Sequence, residues 1–212
     1  FLARFSPSGS EIAFYSTRFG TRDIFVMTAE GTNVSRVTDL ATAEIYPDWS
    51  PDGTQIVFGS PLGARNRVMV VRRSGHDIWS RPRELVLPEC RGTPRTFPRW
   101  SPDGRWIALP CGSSVALLSP DSAAPHLVHL PGLNVWYAEW GGDPNVLFVK
   151  EEPNGQIWAV ALPSGQRRLL LRRDDSPRVA PRQEFATDGR RLFFTLAADE
   201  ADIWIMDLTR QR

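Results

Sequence analysis

Apolar residues fall along the chain in short runs set off by polar turns, without the three-and-four spacing that marks a helix face. One turn repeats. Trp49-Ser50-Pro51-Asp52-Gly53 recurs as Trp100-Ser101-Pro102-Asp103-Gly104, with weaker copies at Phe5-Ser6-Pro7-Ser8-Gly9, Trp140-Gly141-Gly142-Asp143-Pro144 and Phe185-Ala186-Thr187-Asp188-Gly189. Pro presets φ at the second turn position, Asp bonds back to the local backbone, and Gly accepts the left-handed conformation, which together predict a hairpin. The strand after each turn reads Glu11 to Phe14, Gln55 to Phe58, Trp106 to Leu109, Val146 to Val149 and Leu192 to Phe194, rich in residues that suit a pleated surface. A third strand follows at Asp23 to Met27, Arg67 to Val70, Val115 to Leu118, Gln156 to Val160 and Asp202 to Met206. A fourth is visible at Arg36 to Thr38, Glu84 to Leu87, His126 to Val128 and Arg168 to Leu171, and the fifth unit has none.

The leading aromatics stand at 5, 49, 100, 140 and 185, so the units are 44, 51, 40 and 45 residues long. Forty-odd residues per four-stranded unit is the period of a propeller blade. The expected fold is therefore all-β: a β-propeller of four-stranded antiparallel blades in one domain, 1–212, with blades near 1–46, 47–97, 98–137, 138–182 and 183–212. Four units are complete and the fifth lacks its outer strand, which leaves the edge at Asp202 to Met206 unpaired. The leading aromatics are expected between blades.

Composition narrows the partners. Of 212 residues 42% are hydrophobic, enough for a packed domain, and no apolar run approaches the ~20 residues of a membrane-spanning helix. Lys plus Arg is 25 against 24 for Asp plus Glu, so the basic excess of a nucleic-acid binder is missing. No nucleic-acid partner and no membrane insertion are expected.

The combination of aromatic-Ser-Pro-Asp-Gly, an apolar strand, and Asp-Ile-aromatic-Val-Met, as at Asp23 to Met27, resembles the repeats of TolB-like propellers over essentially the whole chain. Such repeats occur in the periplasmic protein of the Tol-Pal envelope system, in sensor portions of bacterial regulators and in the gating propellers of prolyl-oligopeptidase-like peptidases. The resemblance implies a six-bladed ring, of which this chain supplies part; closure with five blades is the alternative. The α/β domain that precedes the propeller of the Tol-Pal protein is not seen.

Strand order puts the long second-to-third and fourth-to-first connections on one face, the loop face, and the Ser-Pro-Asp-Gly turns on the other. Binding residues gather on long loops, so the loop face is the candidate site. Tyr46, Phe97 and Tyr137 each stand three residues before a Trp, either ringing the channel mouth as a platform for a peptide or wedging between blades. Arg65, Arg67, Arg91 and Arg95 lie on the loop face of the second and third units, and Glu151, Glu152, Asp174, Asp175, Asp199 and Glu200 on that of the fourth and fifth. This dipolar face is suited to orienting a partner. From these, Tyr46, Phe97, Tyr137, Arg65, Arg95, Glu151 and Asp175 are the expected partner-binding residues. A charge precedes each leading aromatic: Arg4, Asp48, Arg99, Glu139 and Glu184. These line the channel, either pairing between blades or leaving Glu139 and Glu184 to bind a cation or amine.

Catalytic signals are weak. There is no Gly-x-Ser-x-Gly elbow, His126 and His129 point to opposite faces of one strand, and His76 sits in the excursion from Arg72 to Arg83 on the turn face. No metal site and no cofactor are expected. Cys90 and Cys111 fall on the loop face of adjacent blades, where they form a disulfide or stay as two thiols; a disulfide places the protein in the periplasm or otherwise outside the cytoplasm. The expected function is a non-enzymatic, monomeric propeller that binds a protein or peptide at the channel mouth. The alternatives are the substrate-selecting propeller of a peptidase whose catalytic domain lies elsewhere, and a sensor domain of a bacterial signalling protein.

Overall fold

The computed structural model describes residues 3–75, 77–90, 94–121, 124–153, 155–172, 185–197 and 201–208. Five antiparallel sheets follow one another along the chain, as blades of a propeller. The first contains β1 (Ala3–Phe5), β2 (Glu11–Phe19), β3 (Thr21–Thr28) and β4 (Ser35–Arg36). The second contains β5 (Ile45–Trp49), β6 (Gln55–Leu62), β7 (Arg65–Gly75), β8 (Ile78–Trp79) and β9 (Arg83–Glu84). β10 (Arg99–Trp100), β11 (Ile107–Pro110), β12 (Ser114–Leu118) and β13 (His126–His129) form the third. The fourth is β14 (Val135–Trp140), β15 (Val146–Glu151), β16 (Ile157–Ala161) and β17 (Arg167–Leu171), and the fifth β18 (Phe185–Thr187), β19 (Arg191–Ala197) and β20 (Ala201–Asp207). Blade 5 is three-stranded among the described residues, as its sequence led one to expect. No helix there is long and apolar enough to cross a membrane.

The turn pentapeptide works as read, with one addition. Ser50 Oγ donates to Asp52 at 2.6 Å and accepts from the Gln55 amide at 2.9 Å, and Ser101 repeats this with Asp103 and Trp106. Gly53 and Gly104 take φ of +70° and +73°. The addition is between blades: a Cβ at Gly104 would lie 3.3 Å from Pro51 Cγ, and one at Gly53 3.8 Å from Pro7. The Pro of one turn thus rests on the Gly of the next, tying the motif to ring packing.

Trp49, Trp100, Trp140 and Phe185 are 4–7% exposed. Two of the three leading Trp residues reach back to the preceding blade: the indole N–H of Trp49 donates to the Arg4 carbonyl and that of Trp140 to the Arg99 carbonyl, whereas the buried Trp100 indole nitrogen has no hydrogen-bond partner among the described residues. Phe5 departs from the expectation. It is 64% exposed, because no described strand precedes blade 1 to cover it. On the same blade Phe19 is 63% exposed, with Arg36 stacked on it at 5.0 Å, while Arg18 covers Phe14 and Phe25.

The expected excursion after Arg72 is instead regular structure. β7 runs on to Gly75 and β8 folds back on it, bringing Trp79 to 6.0 Å from Trp49. Arg73 stacks between the two rings and grips Glu11 of blade 1 with both Nη atoms. His76 lies outside the described residues.

Candidate functional site on the loop face

The linker from blade 2 to blade 3 builds much of this face. Thr96 packs so closely on β6 that a Cβ at Gly59 would stand 2.6 Å from its Cβ and 2.7 Å from its carbonyl oxygen. That close approach fixes Arg95 and Phe97 on either side. The linker is also tied by the Arg95 amide to the Pro110 carbonyl, by Asn66 Nδ2 to the Pro94 carbonyl, and by a disulfide between Cys90 and Cys111, whose Cα atoms are 5.5 Å apart.

Arg95 lies flat on Trp136, 3.6 Å from the ring centroid, with Glu152 at 4.0 Å. Burial holds the Arg95 guanidinium below its ordinary pKa, and Glu152 only partly offsets this. Phe97 stands 6.5 Å from Trp136 and 4.3 Å from Tyr46. Sequence reasoning missed Trp136, because its position inside β14 gives no sign that the chain bends there; the register shifts between Val135 and Tyr137, and this turns its side chain toward the neighbouring linker.

The three spaced aromatics do come together, as one arc. Tyr15 meets Tyr46 at 5.9 Å, Phe97 meets Tyr137 at 6.0 Å, and Tyr137 meets Phe185 at 5.3 Å, so the arc threads all five blades. Phe97 and Tyr137 are 6% and 0% exposed, which makes them packing between blades, while Tyr46 is half-buried. Tyr46 holds φ of +56°, a left-handed conformation that costs an aromatic residue ~1–3 kcal/mol and that the surroundings must enforce.

The charged residues separate in the same way. Arg65 is exposed and pairs with Glu84 at 2.7 Å. Arg67 turns inward to the Thr42 and Ser60 hydroxyls. Glu151 is 6% exposed at the end of β15, so Glu152 is the acid that meets solvent there. Arg91, Asp174, Asp175, Glu184, Asp199 and Glu200 lie outside the described residues.

At the axis the residues before the leading aromatics form a network. Arg4 Nη2 of blade 1 meets Glu139 of blade 4 at 2.6 Å and donates to the Tyr137 hydroxyl at 2.9 Å. Arg99 Nε approaches Glu139 at 3.3 Å and the Tyr137 oxygen at 3.1 Å, and Tyr137 itself donates to Glu139. Asp48 accepts from the Trp100 amide and lies 3.8 Å from Arg4. Burial alone would raise Glu139, yet Arg4 and Arg99 override it and hold the carboxyl below the usual range. For Asp48 burial wins over the same two cations and pushes it up. Tyr137 is pushed up by burial, so its phenol keeps its proton. Glu139 is therefore no vacant cation site: two guanidiniums and a phenol already hold it. Two positive and two negative groups from four blades thus meet in one network at this level.

Residues 2–110 match the family described as the TolB beta propeller domain. The uncharacterized protein Atu1656 of Agrobacterium fabrum is 32% identical over 108 residues, 47% of this chain and 36% of that protein. The uncharacterized peptidase YuxL of Bacillus subtilis is 24% identical over 157 residues, 60% of this chain and 23% of that protein. Among solved structures, TolB from Acinetobacter baumannii superposes with a TM-score of 0.66 at 14% identity, covering 96% of this chain and 55% of that one, a likeness of fold. The chain thus spans about a third or less of the length of these two sequence relatives. With the turn motif, the blade order and half the chain inside the family match, this chain belongs to the TolB beta propeller domain family.

Proposed function

We propose that this propeller is a non-enzymatic, monomeric scaffold that binds a protein or peptide on its loop face, across the seam between blades 3 and 4. The observation that carries the reading is the Arg95–Trp136 stack with Glu152 beside it and half-buried Tyr46 nearby. Arg, Trp and Tyr are the side chains that dominate binding hot spots, and here they are held rigid before a partner arrives. Phe97 packs on Tyr46 and is itself backed by Tyr137, and Arg65 lies on the rim. The Cys90–Cys111 disulfide supports a periplasmic or other extracytoplasmic location.

The likeness to the peptidase YuxL favours a second reading, a substrate-selecting propeller for a hydrolase domain in a longer protein. The Arg4–Glu139 contact across the axis counts against passage of substrate through the channel at that level.

The test uses the purified chain as bait in envelope extract. Tyr46→Ala and Arg95→Ala are expected to lose capture of the bound protein by tenfold or more while Arg105→Ala, on the turn face, retains it. A roughly tenfold loss corresponds to 1.4 kcal/mol, modest for a hot-spot residue. Equal capture by all three would overturn the reading.

A further inference from the structure

The linker between blades 1 and 2 crosses the loop face over two buried acids. Asp23 in β3 and Glu44 just before β5 are both 0% exposed, and Asp23 lies close enough to push the Glu44 carboxyl up. Glu44 also accepts from the Thr38 hydroxyl at 3.1 Å and the Thr42 hydroxyl at 3.4 Å, while its amide donates to the Arg22 carbonyl. Thr38 Oγ1 in turn accepts from the Ile24 amide at 2.8 Å. Glu44 is thus the clasp that fastens the linker to β3.

Few charges face this pair. From β4, Arg36 meets Asp23 at 2.9 Å, and it is shared with exposed Asp39 at 2.7 Å. On the Asp23 side Thr21 donates at 3.1 Å. From β7, Arg67 approaches only through the hydroxyls of Thr42 and Ser60, which bond each other at 2.9 Å. Among the described residues the side-chain donors to Glu44 are therefore the neutral hydroxyls of Thr38 and Thr42, while the Arg36 cation goes to Asp23; a buried carboxyl placed beside a second acid without its own cation favours the protonated form.

We propose that Asp23 and Glu44 form a proton-dependent brace, a switch built into the fold that orders the linker 38–46, and with it Tyr46, at low pH and releases it as pH rises. Burial pushes Glu44 up to about 7, with Asp23 adding to the shift and the Thr38 and Thr42 hydroxyls opposing it. The sign follows. A carboxyl that binds its proton more tightly in the closed linker than in the open one stabilises the closed form at low pH, and this is lost as pH passes through about 7. The brace is a property of the linker and holds whatever the loop face binds.

Hydrogen exchange of peptides covering 38–46, in the intact chain and corrected for the intrinsic pH dependence of exchange, tests it. Opening a carboxyl from the raised value to its ordinary one predicts about a tenfold loss of protection between pH 6 and pH 8. Glu44→Gln keeps one accepting oxygen and sets an N–H donor where a protonated carboxyl carries its O–H, but does not titrate, and it is expected to vary less than about twofold, an order-of-magnitude bound from the same linkage. Unchanged wild-type protection, or a tenfold loss in Glu44→Gln, would overturn the proposal. Should Glu44→Gln fail to fold, the carboxyl-carbon titration of Glu44 in the wild type decides: a midpoint near 7 supports the brace and an ordinary carboxylate midpoint refutes it.

Discussion

Glu139 is the residue on which the axis depends. Its carboxylate faces Arg4, Arg99 and Tyr137, and Arg99 is only 1% exposed. Replacing Glu139 with Gln leaves a buried guanidinium without its counter-charge, which is expected to cost about 3–5 kcal/mol, read as a lower denaturant midpoint with an unchanged slope. A loss under 1 kcal/mol would show that water or another acid replaces it. The belt of charges was legible in the sequence, since each member precedes an aromatic of the repeat. Its pairing across the ring was open, because side-chain reach over an axis depends on ring diameter. The Asp23–Glu44 pair was not legible at all: Asp23 belongs to a repeat strand, but Glu44 lies in a linker whose path no periodicity describes.

At the scale of elements, the linker from blade 2 to blade 3 shapes the proposed site. Gly59→Ala pushes a methyl group into Thr96 backbone and is expected to destabilise by about 1–3 kcal/mol while weakening partner capture, since Arg95 and Phe97 move with the linker. Loss of stability with full capture would separate the linker from the site. Reducing the Cys90–Cys111 bond, which closes a loop of 21 residues, is expected to lower unfolding free energy by about 3 kcal/mol on the chain-entropy account, measured by denaturation with and without reductant. Strands and turns were readable because turn chemistry and apolar runs are local. The β8 hairpin was read as an excursion, for its stability comes from Trp79 and Arg73 packing on Trp49 and Glu11, contacts far apart in sequence.

At the scale of the molecule, one motif position has two environments. Trp100 is 7% exposed between blades while Phe5 is 64% exposed at the open side of blade 1. Truncation to Ala is expected to cost about 3–5 kcal/mol at Trp100 and well under 1 kcal/mol at Phe5, because only the first leaves a cavity. Equal costs would mean that Phe5 is covered in solution. The same contrast explains the reach of the sequence. Repeat period gave blade number and order, whereas burial at the first blade depends on a neighbour that the period does not supply.

On the proposed reading the loop face, and not the turn face, receives the partner. Photocrosslinking reads it directly, with a photoreactive residue placed in turn at Tyr46, Glu152 and turn-face Arg105 of the disulfide-bonded chain in envelope extract. A single protein is expected to be joined through Tyr46 and Glu152, absent at Arg105 and lost from both loop-face sites when Arg95→Ala is added. A product at Arg105 alone, or loop-face products indifferent to Arg95→Ala, would contradict it.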